Sequence, residues 1–215
     1  MKLSALLVLF ATLLAPAANA AESAVAGTVL QIRGAAFTNH RESSDNLSKG
    51  MAVSIGDRIV TGRNTRVALQ MTDGAVLTLG ADTEFAINDY RYSPQAQQGS
   101  ASLELIKGAF RAVTGAIGKL KERDFKVKTA VGIIGIRGTD FWGGFYFSRA
   151  LDVALLGGTG IYVENAAGRV EVTETGDGTT VQSADGAPSA PIHWGDKKLN
   201  AAKQSVAWDE EEPSY

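Results

Sequence analysis

Hydrophobic and polar positions alternate with a period of two along most of the chain, which is typical of β-strands with one buried face. The clearest run is 66–86, where Val67, Leu69 and Met71 are separated by small or polar residues. Turn residues, many of them glycine, interrupt such runs every ten residues or so, roughly the spacing of all-β folds. The pattern predicts at least ten short strands in an all-β sandwich, barrel or β-solenoid.

The turn inside this run can be assigned from the side-chain pattern. A two-residue turn would place Leu77 on the opposite face from Leu69. A three-residue turn over 72–74 pairs Leu69 with Leu77 and Val67 with Leu79, and it ends on a glycine, which tolerates the left-handed backbone required there. We therefore predict the three-residue turn, or a solenoid corner with the same register.

Two segments depart from the strand pattern. Residues 90–100 are polar, contain a proline and three glutamines, and predict a loop. We divide the chain from residue 25 onward into a β domain at 25–185 and a Pro/Ala-rich tail at 186–215. Within the tail, apolar residues share one face of 196–206 and predict a short helix, and an acidic run follows at 209–212.

The first twenty residues have the pattern of a secretory signal peptide. Lys2 precedes the apolar run Leu3–Leu14, and Ala18-Asn19-Ala20 is a small-x-small cleavage site. The apolar run is shorter than the roughly twenty residues that span a bilayer. We expect cleavage after Ala20, a periplasmic mature chain, and no membrane-spanning segment in it.

Composition limits the chemistry and the partners that can be expected of the chain. The chain has no cysteine, which excludes disulfides and thiol catalysis, and its formal net charge is −2 with both signs interspersed. A nucleic-acid partner would need clustered lysine and arginine. We therefore expect no nucleic-acid binding.

Signatures of catalysis and of metal binding are weak. The two histidines, His40 and His193, lie far apart in sequence, and neither belongs to a closely spaced ligand set. The glycine-rich stretches 115–120 and 132–138 lack the other requirements of a phosphate loop. We predict no catalytic residue, no cofactor and no metal, and a hydrolase is the least favoured alternative.

The densest unusual stretch is 131–142, where an arginine follows a tight apolar run and precedes glycine, two polar residues and two aromatics. We favour a structural role for Arg137 and Thr139, in a buried strand where Arg137 pairs with a carboxylate. The alternative is a binding surface formed by Asp140, Trp142 and Trp194.

This stretch, Thr129–Phe141, resembles the signature of the FecR domain family, named for the ferric-citrate sensor regulator. Segments 56–77 and 105–110 resemble two further blocks of the family in the same order, and the resemblance covers roughly 25–185. The motif residues, to which we assign structural roles, are Gly56, Asp57, Asp73, Gly74, Gly108, Arg137, Gly138, Thr139 and Phe141.

The resemblance implies an extracytoplasmic all-β domain with a twisted β-solenoid or sandwich-like core and no catalytic activity. In the namesake, the domain relays a signal from an outer-membrane transporter to a sigma factor through a cytoplasmic segment and a membrane helix. Because a cleavable signal replaces that cytoplasmic segment here, we expect a protein-binding or signal-relay module with an envelope protein as partner. The alternative is binding of peptidoglycan or another glycan through exposed aromatics such as Trp142, Trp194 or Tyr162.

The export prediction is tested by expressing the full gene in a Gram-negative host and sequencing the N-terminus of the periplasmic protein. We expect Ala21 as the first residue, because signal peptidase cleaves after a small-x-small site. Replacing Ala18 and Ala20 by bulky residues should leave the precursor uncleaved. A periplasmic fraction free of the protein would contradict export.

Overall fold

The computed structural model describes residues 24–40, 43–122 and 124–208. The predicted signal peptide at 1–20 and the acidic run at 209–212 lie outside these residues. The described chain forms two nine-stranded sheets and one short α-helix near its C-terminus. This confirms the all-β prediction with a short C-terminal helix, in its sandwich-like form.

The strands are short, as the glycine-punctuated pattern predicts. A 3-10 turn (Ile117–Lys119) and helix α1 (Asp196–Gln204) complete the secondary structure of the described residues. In chain order the strands are β1 Val25–Arg33, β2 Ala36–His40, β3 Ser43–Asn46, β4 Ala52–Ser54, β5 Arg58–Thr61, β6 Arg66–Met71, β7 Val76–Leu79, β8 Glu84–Ser93, β9 Gln98–Lys107, β10 Ala109–Val113, β11 Asp124–Thr129, β12 Ile133–Ile136, β13 Thr139–Gly144, β14 Leu151–Gly158, β15 Ile161–Asn165, β16 Gly168–Val172, β17 Asp177–Val181 and β18 Ile192–His193.

Along the chain, successive strands or pairs of strands belong to different sheets. Sheet I has the order β18-β17-β14-β13-β10-β7-β6-β1-β4, and sheet II has the order β16-β15-β12-β11-β9-β8-β5-β2-β3. Neighbouring strands are antiparallel except β9 and β11, which are parallel, among the described pairs. Each sheet therefore combines strands from the whole length of the β domain.

The hydrophobic core lies between the sheets, where the inward residues of both form one cluster. Phe110 of sheet I packs against Phe85 of sheet II with ring centroids 5.3 Å apart, and against Phe141 edge-to-face at 5.5 Å. All three rings are fully buried. Aromatic pairs of this geometry add to the stabilisation from burial alone.

The hairpin at 72–74 has the predicted register. Leu69 pairs with Leu77 and Val67 with Leu79, and all four are fully buried. The Met71 N–H donates to the Ala75 carbonyl at 2.8 Å, which closes a three-residue loop. Its last residue, Gly74, has φ of 84°. The three-residue turn is confirmed.

The prediction of a loop at 90–100 is wrong. Strands β8 and β9 continue through most of this segment, with Tyr90 opposite Ala101 and Ser93 opposite Gln98, and leave only a short turn between them. Tyr90 and Ala101 face the core, where each is 2% exposed. The intervening polar residues occupy the outer face, so overall polarity concealed the alternation of a long hairpin.

The chain passes repeatedly from one sheet to the other. Among the described residues, every crossing except that between β10 and β11 contains a residue with positive φ. This conformation reverses the local direction of the backbone and costs least at glycine, or at asparagine and aspartate. The residues are Gly34, Gly50, Gly56, Asn64, Asp82, Gly108, Gly138, Gly158, Gly160 and Gly176.

Threonine hydroxyls hold the backbone where the ladders are interrupted. Thr83 Oγ1 accepts from the Ala109 N–H at 3.0 Å and donates to the Ala109 carbonyl at 3.1 Å. Thr65 makes the same pair of bonds with Ala35, and Thr114 makes them with Thr139. Each hydroxyl thus bonds both the N–H and the carbonyl of one residue, and a buried backbone group without a partner would be destabilising.

Gly108 offers a direct test of the crossings. Its φ is 85°, and an added Cβ would lie 2.5 Å from the Thr83 Cα. We expect Gly108→Ala to lower the free energy of unfolding by about 3 kcal/mol or more, because backbone strain and a clash with main chain act together. Denaturant titration measures the loss.

Gly50→Ala is the matched control. Gly50 has nearly the same φ, 84°, but an added Cβ would meet nothing within 4 Å. This variant should therefore lose only the conformational cost of about 1 kcal/mol. Equal losses in the two variants would contradict a close-packing role for Gly108.

Candidate binding surface

The first motif residues, Gly56 and Asp57, join β4 to β5. Gly56 has φ of 94°. The buried Asp57 accepts a hydrogen bond from the Ser54 N–H at 2.8 Å through Oδ2, and its Oδ1 lies 2.6 Å from His40 Nδ1. Both carboxylate oxygens therefore hold the turn and tie it to β2, which supports a structural role.

Asp73 connects three parts of the fold. Its Oδ1 accepts from the Tyr90 hydroxyl at 2.6 Å and from the Ala75 N–H at 3.0 Å, and its Oδ2 accepts from the Ile117 N–H at 3.0 Å. Burial, together with this carboxylate, raises the pKa of Tyr90 above its ordinary value. Asp73 thus joins the β6–β7 hairpin to sheet II and to the 3-10 turn.

The motif at 137–141 forms the crossing from β12 to β13. Gly138 has φ of 88°, the buried Thr139 donates to the Gly157 carbonyl at 2.6 Å, and Phe141 lies in the core. Arg137 pairs with the carboxylate of Glu171, as predicted. The expected burial of Arg137 is wrong: its side chain is 46% exposed, because the strand ends there and the side chain extends along the outside of sheet II.

Asp140 lies on the outer face of sheet I. Arg111 of β10 donates to it twice, from Nε to Oδ1 at 2.8 Å and from Nη2 to Oδ2 at 2.6 Å. This two-point hydrogen bond raises the pKa of Arg111. Both oxygens of Asp140 are thereby engaged within the sheet.

Trp142 and Trp194 do not form the predicted binding surface. Trp142 is fully buried and Trp194 is 3% exposed. Residues 192–208, which we call the C-terminal strap, cover the outer face of sheet I at this point. The Trp142 indole N–H donates to Ser205 Oγ at 2.9 Å, and the two indole centroids are 6.0 Å apart.

The aromatics named for glycan binding do not lie on one open face. Besides the two buried tryptophans, Tyr162 is covered by Arg169, whose guanidinium carbon lies 3.8 Å from the ring centroid. Glycan platforms require ring faces that a sugar can reach. The positions of these three rings give the glycan alternative no support.

The strap packs through a second apolar cluster, separate from the main core, which joins Trp142 and Trp194 to Ala202 and Val206. Glycines of sheet I make room for it. A Cβ on Gly178 would lie 2.5 Å from the Trp194 ring, and one on Gly80 would lie 2.7 Å from the Ser205 carbonyl oxygen. The strap is therefore an integral layer of the fold.

Lys198 fastens the strap electrostatically. Its Nζ lies 2.7 Å from Asp152 Oδ1 and 4.0 Å from the centroid of Trp194. Asp152 is 3% exposed and also accepts from the Thr180 hydroxyl at 2.7 Å. A buried carboxylate of this kind is costly without its cation, so the lysine and the sheet stabilise each other.

Beside this anchor lies an open apolar cleft of about 640 Å³, between the β13–β14 loop and the start of α1. Tyr146 and Phe147 form one wall, and they are 53% and 38% exposed. The remaining lining residues belong to the strap: Gly195, Asp196, Lys197, Lys198 and Ala201. Exposed aromatics around a concavity are typical of protein-binding sites.

Sequence reasoning missed this cleft. A signal was present at 145–147, where three consecutive aromatics follow two glycines. Adjacent residues of a strand point to opposite faces, so three in a row cannot all enter the core. Which of them stays exposed depends on the strap, whose position the local pattern does not reveal.

Within 24–40, 43–122 and 124–208, no group of three or more His, Cys, Asp or Glu residues lies close enough together to hold a metal ion. Over the same ranges, no helix has both the length and the hydropathy needed to cross a membrane.

Comparison with known proteins gives a family match and structures of similar fold. A family model described as FecR protein matches residues 57–159. Two crystal structures of a candidate anti-sigma factor from Parabacteroides distasonis ATCC 8503 have similar folds, with TM-scores of 0.51 and 0.52 at 17% and 16% identity. The alignments cover 67% of this chain and 62% and 63% of those chains, so less than two thirds of their length is spanned. No curated protein matches.

Shielding of Trp142 by the strap can be measured by fluorescence. The chain has three tryptophans, so a variant ending at Pro191 retains Trp142 alone. We expect its emission to shift to longer wavelength and its quenching by acrylamide to rise, because the indole loses its cover and its hydrogen bond to Ser205.

The control is the full chain carrying Trp194→Phe and Trp208→Phe, in which Trp142 is again the sole tryptophan but remains covered. Far-ultraviolet circular dichroism checks that the shortened chain keeps its sheets. Equal quenching in the two proteins, with the sheets intact, would show that the strap does not cover Trp142.

Proposed function

Since a family model described as FecR protein matches residues 57–159, we propose that the chain is a non-catalytic signalling module that acts by binding another protein. Likeness in fold to candidate anti-sigma factors agrees with a signalling role. The family motif and the fold account for the scaffold. A binding role also requires a surface that can contact a partner.

Support for a non-catalytic role comes from the occupation of the buried carboxylates. Asp57, Asp73 and Asp152 each use their oxygens to hold turns or strands within the fold. A general acid or base must instead be free to exchange a proton with a substrate in a cleft. The motif carboxylates therefore act as structural acceptors.

The observation that carries the binding role is the cleft beside Tyr146 and Phe147. The other large aromatic rings near it are buried, Trp142 beneath the strap and Trp194 within it, whereas these two remain open to solvent. They are prepositioned by contacts with Trp142, at centroid distances of 6.3 and 5.6 Å. A rigid aromatic pair can bind a partner with little loss of side-chain entropy.

The proposed location is the periplasm, on the strength of the pattern at 1–20. The partner would then be another envelope protein, either a periplasmic domain or the exposed part of a membrane protein. Through such a contact the domain would relay a signal without touching a sigma factor itself.

Site-specific photo-crosslinking tests the proposal. A photoreactive phenylalanine analogue at Tyr146 should crosslink, in living cells, to one protein of the envelope in a reproducible band. Its control carries the analogue at Tyr92, a half-buried tyrosine on the opposite sheet. Crosslinks that match those at the control position, or none at all, would contradict binding at the cleft.

A further inference from the structure

Two arginines lie side by side at the edge of the C-terminal strap. Arg33 of β1 and Arg66 of β6 are paired in register. Arg33 Nη1 donates to the Trp208 carbonyl at 2.9 Å, and Arg66 donates to the carbonyls of Thr65 at 2.8 Å and Gln204 at 3.4 Å. Their contacts are thus with neutral backbone groups.

Neither guanidinium has a carboxylate partner among the described residues, although ion pairs occur elsewhere on both sheets. Among the described residues, the Nε of Arg66 is a buried nitrogen without a hydrogen-bond partner. Burial, then the charge of Arg33, lowers the pKa of Arg66. Two neighbouring cations without a carboxylate partner favour an anion beside their solvent-facing terminal nitrogens.

The arginine pair and the apolar cleft both lie beside the strap. Arg66 contacts Gln204, the next residue Ser205 accepts from Trp142, and Trp142 packs against Tyr146. A ligand on this face would therefore meet the exposed aromatic rings near the start of α1 and the guanidinium groups near its end.

Charge in the cleft lining is balanced, and the adjoining β13–β14 loop adds one arginine. Arg149 lies in the β13–β14 loop and Lys197 lines the cleft, and neither forms an ion pair with a described carboxylate. Lys198 is neutralised by Asp152, which leaves Asp196 as the one acidic residue in the described lining. Lys197 and Asp196 balance each other in the lining, so the positive charge of this face comes from Arg33 and Arg66, although the whole chain carries a net charge of −2.

We propose that the Arg33–Arg66 pair and the cleft at Tyr146 and Phe147 together dock an acidic segment of the partner protein that carries an apolar anchor residue. The inference rests on the proposed function and specifies the partner's chemistry. Carboxylates fit the forked donors of two arginines, and the anchor side chain fills the cleft.

An anionic membrane would match the same charges, but the shapes differ. Residues that insert into lipid protrude, whereas this apolar surface is a concavity of about 640 Å³. The guanidinium groups are also held down on backbone carbonyls of 65, 204 and 208. A peptide can follow such a surface more closely than a bilayer can.

The test measures fluorescence anisotropy of a labelled eight-residue peptide in which six glutamates flank a central leucine and phenylalanine. The full chain should bind it, and binding should weaken as salt rises. We expect Arg33→Gln with Arg66→Gln to raise Kd about tenfold, consistent with two solvent-accessible ion pairs. Tyr146→Ser should raise Kd several-fold without changing the salt dependence.

Arg58→Gln with Arg91→Gln is the matched control, since it removes two charges from exposed arginines of sheet II. It should leave Kd unchanged, and the peptide with glutamine in place of glutamate should not bind. Arg33→Lys with Arg66→Lys keeps the charges and should restore part of the affinity. Tryptophan emission checks that the strap stays in place in every variant.

Three results would overturn the inference. One is a Kd that the double arginine variant does not change. Another is binding only after the chain is shortened to Trp208, which would assign the pair to the chain's own acidic residues 209–212. The third is tighter binding to phosphatidylglycerol vesicles, with displacement of the peptide. If these occur while the crosslink at Tyr146 persists, protein binding stands and the acidic specificity fails.

Discussion

The repeated passage of one chain between two sheets is the constraint on which the rest of the structure depends. Each crossing must reverse the backbone within a few residues while both sheets keep their ladders, and the left-handed conformation does this most compactly. Residues with positive φ accordingly mark the crossings, with Gly108 and Gly138 among them. Where a neighbouring main chain also approaches closely, as Thr83 does at Gly108, no other residue fits.

Polar groups exposed by these crossings are satisfied by short side chains. Thr83 and Thr65 each bond both the N–H and the carbonyl of one residue, and Asp57 and Asp73 accept from the N–H groups of their own turns. The FecR motif residues therefore serve the crossings between the sheets. Glycine adopts the backbone conformation that the crossing needs, and threonine or aspartate supplies the hydrogen bonds.

Binding capacity arises where the C-terminal strap meets sheet I. The strap buries Trp142, fixes Lys198 against Asp152, and leaves Tyr146 and Phe147 as the open edge of an aromatic cluster. It also brings the backbone carbonyls of its last residues to the arginines of β1 and β6. One short segment thus creates both the apolar and the cationic halves of the proposed docking surface.

By itself the sequence determined the all-β class and the register of the 72–74 hairpin, because alternation, turn length and glycine position are local properties, and its motifs revealed the resemblance to the FecR family. It predicted a structural role for the motif residues, and the contacts of Asp57, Asp73 and Thr139 support that role. The tertiary structure alone decided which aromatics are exposed. Trp142 and Tyr146 differ in exposure only because the strap, some sixty residues away, covers one and stops short of the other.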